Sequence, residues 1–185
     1  MIVGPARAAH VFAGLALFAL GAAAGRGFRD APEFPTQDPL RWVGPPTKLA
    51  DLRGRVVMLE VWTFGCINCV RTAPWVKNAA ARYRERGLSV VGIHTPEFPF
   101  EHAREKVAAA VREHGLSFPS LLDNDMAYWN ALGNEYWPAV YLVDRCGKLR
   151  FSWVGEVHRG TPSGLHLERN VEELLAEARE ACTPR

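Results

Sequence analysis

Two cysteines, Cys66 and Cys69, stand where an apolar run gives way to a helical pattern. The run, residues 55–62, predicts a strand buried on both faces of a sheet, and residues 66–86 predict a helix ending before Gly87. A helix N-terminus carries unpaired N–H groups and a partial positive charge, which stabilise a thiolate. That thiolate attacks disulfides, and a cysteine one helical turn later resolves the mixed disulfide. The spacing and its setting therefore predict a redox-active dithiol.

Two other interpretations of this cysteine pair stay open, a structural disulfide and a metal site. A zinc site needs a second Cys or His pair at ligand spacing, and the sequence offers none. A copper–thiolate site needs a third ligand, for which His94 and His158 are the candidates. Disulfide exchange itself requires no cofactor, so we expect neither a cofactor nor a metal.

Glu60 is an acidic residue inside the run that predicts a buried strand. A buried carboxylate is costly to keep charged, so the pKa of Glu60 should rise. Because Glu60 precedes Cys66 by six residues, we expect it to exchange a proton with Cys69, through water, during the reaction. The alternative is an edge strand that leaves Glu60 in solvent.

The N-terminal segment, residues 8–25, is apolar apart from one histidine. It is near the lower limit for a membrane span, and the small residues 22–24 fit a signal-peptidase site, so a cleaved signal and a retained anchor stay open. Either interpretation exports the domain to the periplasm or another extracytoplasmic space. We expect a leader over 1–25, a Pro-rich linker over 26–39 and one domain over 40–182.

The charge balance limits the partners of this domain. The chain has 185 residues, 22 Lys+Arg against 20 Asp+Glu, and a formal charge of +2. A nucleic-acid binder needs a basic face, so this class is not expected. We expect contact with a membrane only through the N-terminal segment.

The rest of the sequence predicts an α/β fold with a central mixed β-sheet flanked by helices. Strand and helix patterns alternate, and the domain ends in a hairpin and an amphipathic helix. The predicted elements are a strand at 88–94, a helix at 100–114, a short strand at 117–122, a short helix at 125–132, hairpin strands at 139–143 and 148–154, and a helix at 167–181.

Pro138 begins one of these strands, a position where its missing N–H serves no ladder. The sequence alone leaves open whether the Trp137–Pro138 bond is cis. Aromatic side chains around the dithiol are expected to form a rim that receives a flexible partner, with ordinary core packing as the alternative. These side chains are Trp62, Phe64, Tyr136 and Trp137.

The segment Trp62–Cys69 resembles the active site of thioredoxin-like proteins. It is most similar to the exported TlpA/ResA-like group and to the thioredoxin-like domain of DipZ-type membrane proteins. Stretches 94–98 and 136–139 add to a likeness that covers residues 40–181. The resemblance implies a thioredoxin-like fold with an inserted helix at 100–114, and the activity of a protein-disulfide oxidoreductase.

Carried over by position, the resemblance makes Cys66 the nucleophile and Cys69 the resolving thiol. Glu60 falls at the family's buried acid. Pro138 falls at the family's cis-proline beside the dithiol, where the backbone of Trp137 pairs with substrate.

Four residues next to the cysteines bear on substrate binding and redox tuning. Phe64 and Gly65 are predicted to border the bound substrate, although Gly65 stands where thioredoxin has tryptophan. Ile67 and Asn68 replace the Gly-Pro pair of thioredoxin between the cysteines, and residues there tune the redox potential.

The resemblance also implies a direction of electron flow and a set of partners. Electrons would arrive from a membrane donor of the CcdA/DsbD type and pass to exported proteins bearing disulfides, such as apocytochromes c. A disulfide-forming oxidant, a copper metallochaperone and a peroxidase that uses Thr63 stay open as alternatives.

Cys146 and Cys182 predict a separate structural disulfide. The last hairpin strand spans ~23 Å at ~3.3 Å per residue, and the closing helix ~21 Å at ~1.5 Å per residue. If the helix returns antiparallel to the strand, Cys182 approaches Cys146. Two free thiols are the alternative.

Overall fold

The computed structural model describes residues 28–177, and these form the predicted α/β fold. Six strands make one mixed sheet in the order β1-β4-β3-β2-β5-β6. The strands are β1 (Trp42–Val43), β2 (Val56–Trp62), β3 (Leu88–His94), β4 (Ser120–Leu122), β5 (Ala139–Val143) and β6 (Leu149–Val154). The helices are α1 (Ile67–Tyr83), α2 (Arg104–His114), α3 (Ala127–Leu132) and α4 (Pro162–Ala176), with short 3-10 turns at Pro39–Arg41, Leu49–Leu52 and Pro99–Glu101.

Strand β2 occupies the middle of the sheet, as its apolar sequence predicts. It runs parallel to β3 and antiparallel to β5, and all seven of its residues are buried. Alternate side chains enter two hydrophobic clusters, one on each face of the sheet. Because β2, β3 and β4 are parallel, their carboxyl ends share one edge, and β5 begins at the same edge. That edge carries the dithiol.

Helix α1 starts directly after this edge. Cys66 is its N-cap residue with an extended backbone, and Pro74 lies inside the helix. The predicted end at residue 86 is three residues late, because the chain leaves the helix at Arg84 and turns through Gly87. Gly87 has a φ of 106°, which glycine adopts at no steric cost.

The inserted segment and the last helix differ from their predicted bounds. The predicted helix at 100–114 is divided into the 3-10 turn Pro99–Glu101 and α2. Helix α4 begins at Pro162, five residues earlier than predicted, because Thr161 caps its first turn and proline suits that position. It ends at Ala176 rather than 181.

Part of the segment assigned to a linker packs onto the domain. Phe34 is 4% exposed, and its ring centre lies 5.4 Å from that of Trp42 and 5.1 Å from that of Tyr128. Glu33 accepts hydrogen bonds from the backbone N–H groups of Leu49 and Ala50. These residues therefore belong to the folded domain, and the linker assignment does not hold for them.

The predicted leader, residues 1–25, and the predicted domain end at 182 lie outside the described residues. Within 28–177, no helix has the length and apolar character needed to cross a membrane.

Candidate active site

The two thiols of the dithiol differ in exposure. Cys66 is partly exposed at the N-cap of α1, whereas Cys69 is 1% exposed beneath the first turn, and both are free thiols. The backbone N–H of Cys69 donates to Sγ of Cys66 over 3.4 Å. The sulfur of Cys66 therefore takes the place of the side-chain oxygen that usually caps a helix, facing unpaired N–H groups that favour a negative charge. Solvent therefore reaches Cys66 more easily than Cys69.

Cys69 is held in the thiol form. Burial, in the first place, raises the pKa of the Cys69 thiol above its usual range, and the adjacent Cys66 and a negative charge on Glu60 raise it further. A buried thiol of this kind becomes a nucleophile only when a neighbouring base removes its proton.

Glu60 lies on the sheet face covered by α1, opposite Gly92 of β3 and Val140 of β5. It is 1% exposed, and burial raises its pKa to about 8. Its Oε2 has no hydrogen-bond partner within the described region. The edge-strand alternative is therefore wrong, and with a pKa of about 8 most Glu60 side chains carry their proton at neutral pH. Its role in exchange stays a prediction.

Two further polar atoms face the same region beneath α1. Trp62 Nε1 and Ser120 Oγ are buried and have no hydrogen-bond partner between residues 28 and 177. A Cβ added to Gly92 would lie 3.0 Å from the first and 2.6 Å from the second. Glycine at 92 therefore keeps a polar space open beside Glu60. Trp62 itself is 3% exposed and packs in the core rather than in the rim.

The Trp137–Pro138 peptide bond is cis. Ala139 pairs with Val61, so the proline reaches the edge at which β2 leads into the dithiol. The Trp137 indole N–H donates to the Thr95 carbonyl over 3.0 Å. This half-buried tryptophan thus connects the start of β5 to the loop after β3.

Several apolar side chains of the predicted rim are exposed to solvent. Ile67 is 59% and Tyr136 61% exposed, whereas Phe64 is half-buried. The 3-10 turn adds two side chains that the sequence analysis did not identify, Phe98 at 44% and Phe100 at 50% exposed. Their rings are stacked 5.7 Å apart, at an interplanar angle of 4°. Gly65 and Asn68 are also exposed next to the cysteines.

The sequence analysis also missed Glu101, which is fully buried beside the dithiol. Its carboxylate accepts hydrogen bonds from the N–H groups of Gly65 at 2.7 Å, Glu97 at 2.6 Å and Phe98 at 2.8 Å. Burial alone would raise the pKa of Glu101, but these bonds and one from the Thr63 hydroxyl outweigh it and lower the pKa. No capping motif in the sequence indicates this role, because Phe98 at the N-cap has no side-chain acceptor.

His94 ends β3, as predicted, and is fully buried. Its Nε2 is 3.3 Å from Oγ1 of Thr63, and Phe64 stacks on its ring. Burial lowers the pKa of His94 to about 4, so the ring is neutral at physiological pH. The Thr63 hydroxyl is occupied by His94 and Glu101, so nothing here strengthens the peroxidase interpretation.

The copper interpretation also gains no support from the geometry. Across the described region, no group of three or more His, Cys, Asp or Glu side chains is arranged to hold a metal. His158 interacts with the carboxylate of Glu156.

Of the predicted second pair, Cys146 and Cys182, only Cys146 lies among residues 28–177. Cys146 is disulfide-bonded, but Cys182 lies outside the described residues, so their pairing stays a prediction. Next to Cys146, the guanidinium of Arg145 donates to the carbonyls of Leu174, Leu175 and Glu177. The end of α4 therefore returns to the hairpin turn, as the length argument requires.

Comparison with known proteins agrees with this geometry. The Redoxin family profile matches residues 32–168. The DipZ protein of Mycobacterium tuberculosis is 43% identical over 134 residues, which are 72% of this chain and 19% of that protein. The thiol-disulfide oxidoreductase YkuV of Bacillus subtilis is 31% identical over 121 residues, 65% of this chain and 77% of that protein. The chain thus spans about a fifth of the DipZ protein.

Solved structures show the same fold. A thioredoxin-like protein in its oxidized form is 27% identical, with a TM-score of 0.70 over 80% of this chain and 96% of that one. A thiol-disulfide isomerase from Corynebacterium glutamicum is 26% identical, with a TM-score of 0.66 over 80% and 98% of the two chains. The chain therefore belongs to the Redoxin family and has a thioredoxin-like fold.

Proposed function

We propose that the protein is an exported thiol–disulfide oxidoreductase that reduces disulfides in other exported proteins. The observation that carries the proposal is the asymmetry of the dithiol. Cys66 is accessible at a helix N-terminus, and Cys69 is shielded one turn later, above an acid whose pKa is about 8. This arrangement offers one candidate group each for attack, resolution and proton transfer.

The first step joins the protein to its partner. The Cys66 thiolate attacks one sulfur of the partner's disulfide, so a mixed disulfide forms as the partner's S–S bond breaks. The other partner sulfur leaves as a thiolate and takes a proton from solvent. The helix N-terminus favours the attacking anion, and the half-exposed position of Cys66 admits the partner.

The second step releases the partner. Glu60, as carboxylate, takes the proton of Cys69, directly or through water, and the resulting thiolate attacks Sγ of Cys66. The Cys66–Cys69 disulfide forms, and the second partner sulfur leaves as a thiolate. The partner has gained two electrons and the dithiol has lost them. The reverse sequence of the same steps oxidises a partner.

The rim residues support binding of an extended, apolar partner segment. Exposed apolar surface is contributed by Ile67, Phe98, Phe100 and Tyr136. Trp137 and the cis Pro138 lie at the same edge of the sheet, where the backbone of Trp137 would pair with the partner chain. Such a surface suits a partner whose chain around the disulfide is unfolded and exposes apolar side chains.

The direction and the donor follow from family likeness. The match to a domain of DipZ and the apolar run at 8–25 support an exported domain, secreted or anchored. Reduction outside the cytoplasm needs a membrane electron source, for which a donor of the CcdA/DsbD type is proposed. Apocytochromes c are one proposed class of acceptor.

Trapping of the mixed disulfide tests this function. The substrate is an unfolded protein that carries disulfides. With it, Cys69→Ser should accumulate a covalent complex that added thiol releases. Cys66→Ser should form none, and wild type should reduce the same substrate catalytically when supplied with dithiothreitol. Absence of both the complex and the turnover would contradict the proposal, and stoichiometric uptake of copper by the same protein would favour the metallochaperone.

A further inference from the structure

Glu101 is buried at the start of the inserted segment, yet it lies against the loop that carries the nucleophile. The side chain is 0% exposed. Its Oε1 accepts a hydrogen bond at 2.7 Å from the N–H of Gly65, the residue before Cys66. Its Oε2 accepts from the backbone N–H groups of Glu97 and Phe98, which follow Gly65 by 32 and 33 residues. One carboxylate thus joins the active-site loop to the loop after β3.

Gly65 fits this arrangement only because it lacks a side chain. A Cβ at position 65 would overlap with Oε1 of Glu101, and it would lie 3.3 Å from Cζ of Phe100. The backbone before the nucleophile is therefore packed directly against the carboxylate and the aromatic ring. A tryptophan, which thioredoxin has at this position, would fit here only if Glu101 moved.

A hydrogen-bonded chain extends from the carboxylate into the core. The Thr63 hydroxyl donates to Glu101, and Nε2 of His94 lies 3.3 Å from the same hydroxyl. Because that hydroxyl has one proton, which goes to the carboxylate, His94 must donate from Nε2. Thr63 and Gly65 are thus both held in the segment leading into Cys66.

We propose that Glu101 is a positioning residue for Cys66, holding the loop before the nucleophile through Gly65 and Thr63. Its charge also acts on the site, because a carboxylate beside the N-terminus of α1 partly offsets the positive end of that helix. The inserted segment therefore sets the geometry and reactivity of the dithiol. Of the effects expected from this role, only the change in the rate of disulfide reduction rests on the proposed function.

Glu101→Gln separates this role from a purely structural one. The amide has one acceptor oxygen, so one of the two loops must lose its hydrogen bond, and the negative charge is removed. Glu105→Gln is the matched control, since Glu105 is an exposed carboxylate on α2. The other titratable side chains around the site, His94, Cys69 and Glu60, are present in both variants, but Glu101→Gln also removes a charge that raises the pKa of His94.

Wild type, Glu101→Gln and Glu105→Gln are compared as full chains by four measurements. They are the rate of Cys66 alkylation against pH, the reduction potential, the kcat and KM for disulfide reduction, and the amide proton shift of Gly65. For Glu101→Gln we expect alkylation to begin at lower pH, a more oxidising potential, an upfield Gly65 amide and a kcat lower by about tenfold. Glu105→Gln should match wild type within about twofold.

The double variant Gly65→Ala with Glu101→Gln tests the contact itself. If Gly65 and Glu101 act together, the two changes should be strongly non-additive in kcat and in the alkylation profile. Should Glu101→Gln fail to fold, Thr63→Val, which removes one bond to the carboxylate, should give smaller shifts of the same sign.

A folded Glu101→Gln variant with unchanged alkylation profile, potential and Gly65 amide shift would overturn the positioning role. Alkylation and NMR need no partner protein. If Glu101→Gln changes the alkylation profile and the Gly65 amide shift, but wild type itself reduces no disulfide, the proposed function is contradicted and the role of Glu101 stands.

Discussion

Cys69 lies above Glu60, on the side of the sheet that α1 covers, and a negative charge on Glu60 raises the pKa of the Cys69 thiol. The two groups are therefore coupled, because the proton that Cys69 must lose has a buried acceptor below it. Glu60, with a pKa raised by burial to about 8, is half-ionised slightly above neutral pH. Resolution of the mixed disulfide should depend on this pair.

Replacing Glu60 with Gln should slow resolution, since an amide takes no proton from Cys69. We expect the single-turnover rate of mixed-disulfide resolution to fall by about 100-fold at neutral pH, the lower end for loss of a general base. Stopped-flow tryptophan fluorescence measures this rate. The exposed Glu85→Gln is the control, and equal rates for Glu60→Gln and wild type from pH 6 to 9 would remove Glu60 from the mechanism.

Glu60 should also make stability depend on pH. The native protein keeps the Glu60 proton up to about pH 8, whereas the unfolded chain releases it near 4.5. The native state binds more protons in this window, so stability is lost as pH rises from 4.5 to 8. Relative to Glu60→Gln, wild type should lose on the order of 1 kcal/mol per pH unit in urea unfolding. Parallel stability curves for the two proteins would contradict the raised pKa.

His94 should have the opposite effect at acid pH. Its pKa is lowered by burial to about 4, against 6.5 in the unfolded chain. The unfolded state binds the proton first, so the contribution of His94 to stability is present above pH 6.5 and is lost as pH falls towards 4. In an NMR titration, the ring protons of His94 should shift near pH 4. A shift near pH 6.5 would mean that the ring is accessible to water.

The disulfide between Cys146 and Cys182 should be structural and separate from the dithiol. Arg145 holds the end of α4 next to Cys146, so closure of this loop restrains the unfolded chain. Changing both cysteines to serine should lower the free energy of unfolding by about 3–4 kcal/mol and leave the potential of the dithiol unchanged. An unlinked Cys182 peptide in a non-reduced digest of oxidised protein would exclude the bond.

Local patterns were sufficient to predict the centre of the site. The unbroken apolar run of β2 indicated burial on both faces, so both the position of Cys66 and the burial of Glu60 follow from adjacent residues. Strand β1 was missed because two residues show no periodicity. The packing of Phe34 was missed because its Pro-rich surroundings are typical of a linker.

Glu101 could not be predicted in the same way. Its partner Gly65 is 36 residues earlier in the chain, and only the fold brings the inserted segment against the dithiol. In the sequence Glu101 is one of many acidic residues near a helix start, where an exposed position is the usual outcome. The bonds that occupy its carboxylate come from loops without periodic patterns.

The reduction potential of the Cys66–Cys69 pair tests the central claim most directly. The protein, with Cys146 and Cys182 changed to serine, is equilibrated in defined redox buffers, and the oxidised fraction is measured by thiol labelling. A reductant of exported proteins should have a potential near or below ~−270 mV. A value near ~−120 mV, as in strong oxidants, would reverse the direction of electron flow. Failure to form the Cys66–Cys69 disulfide at any poise would contradict disulfide exchange altogether.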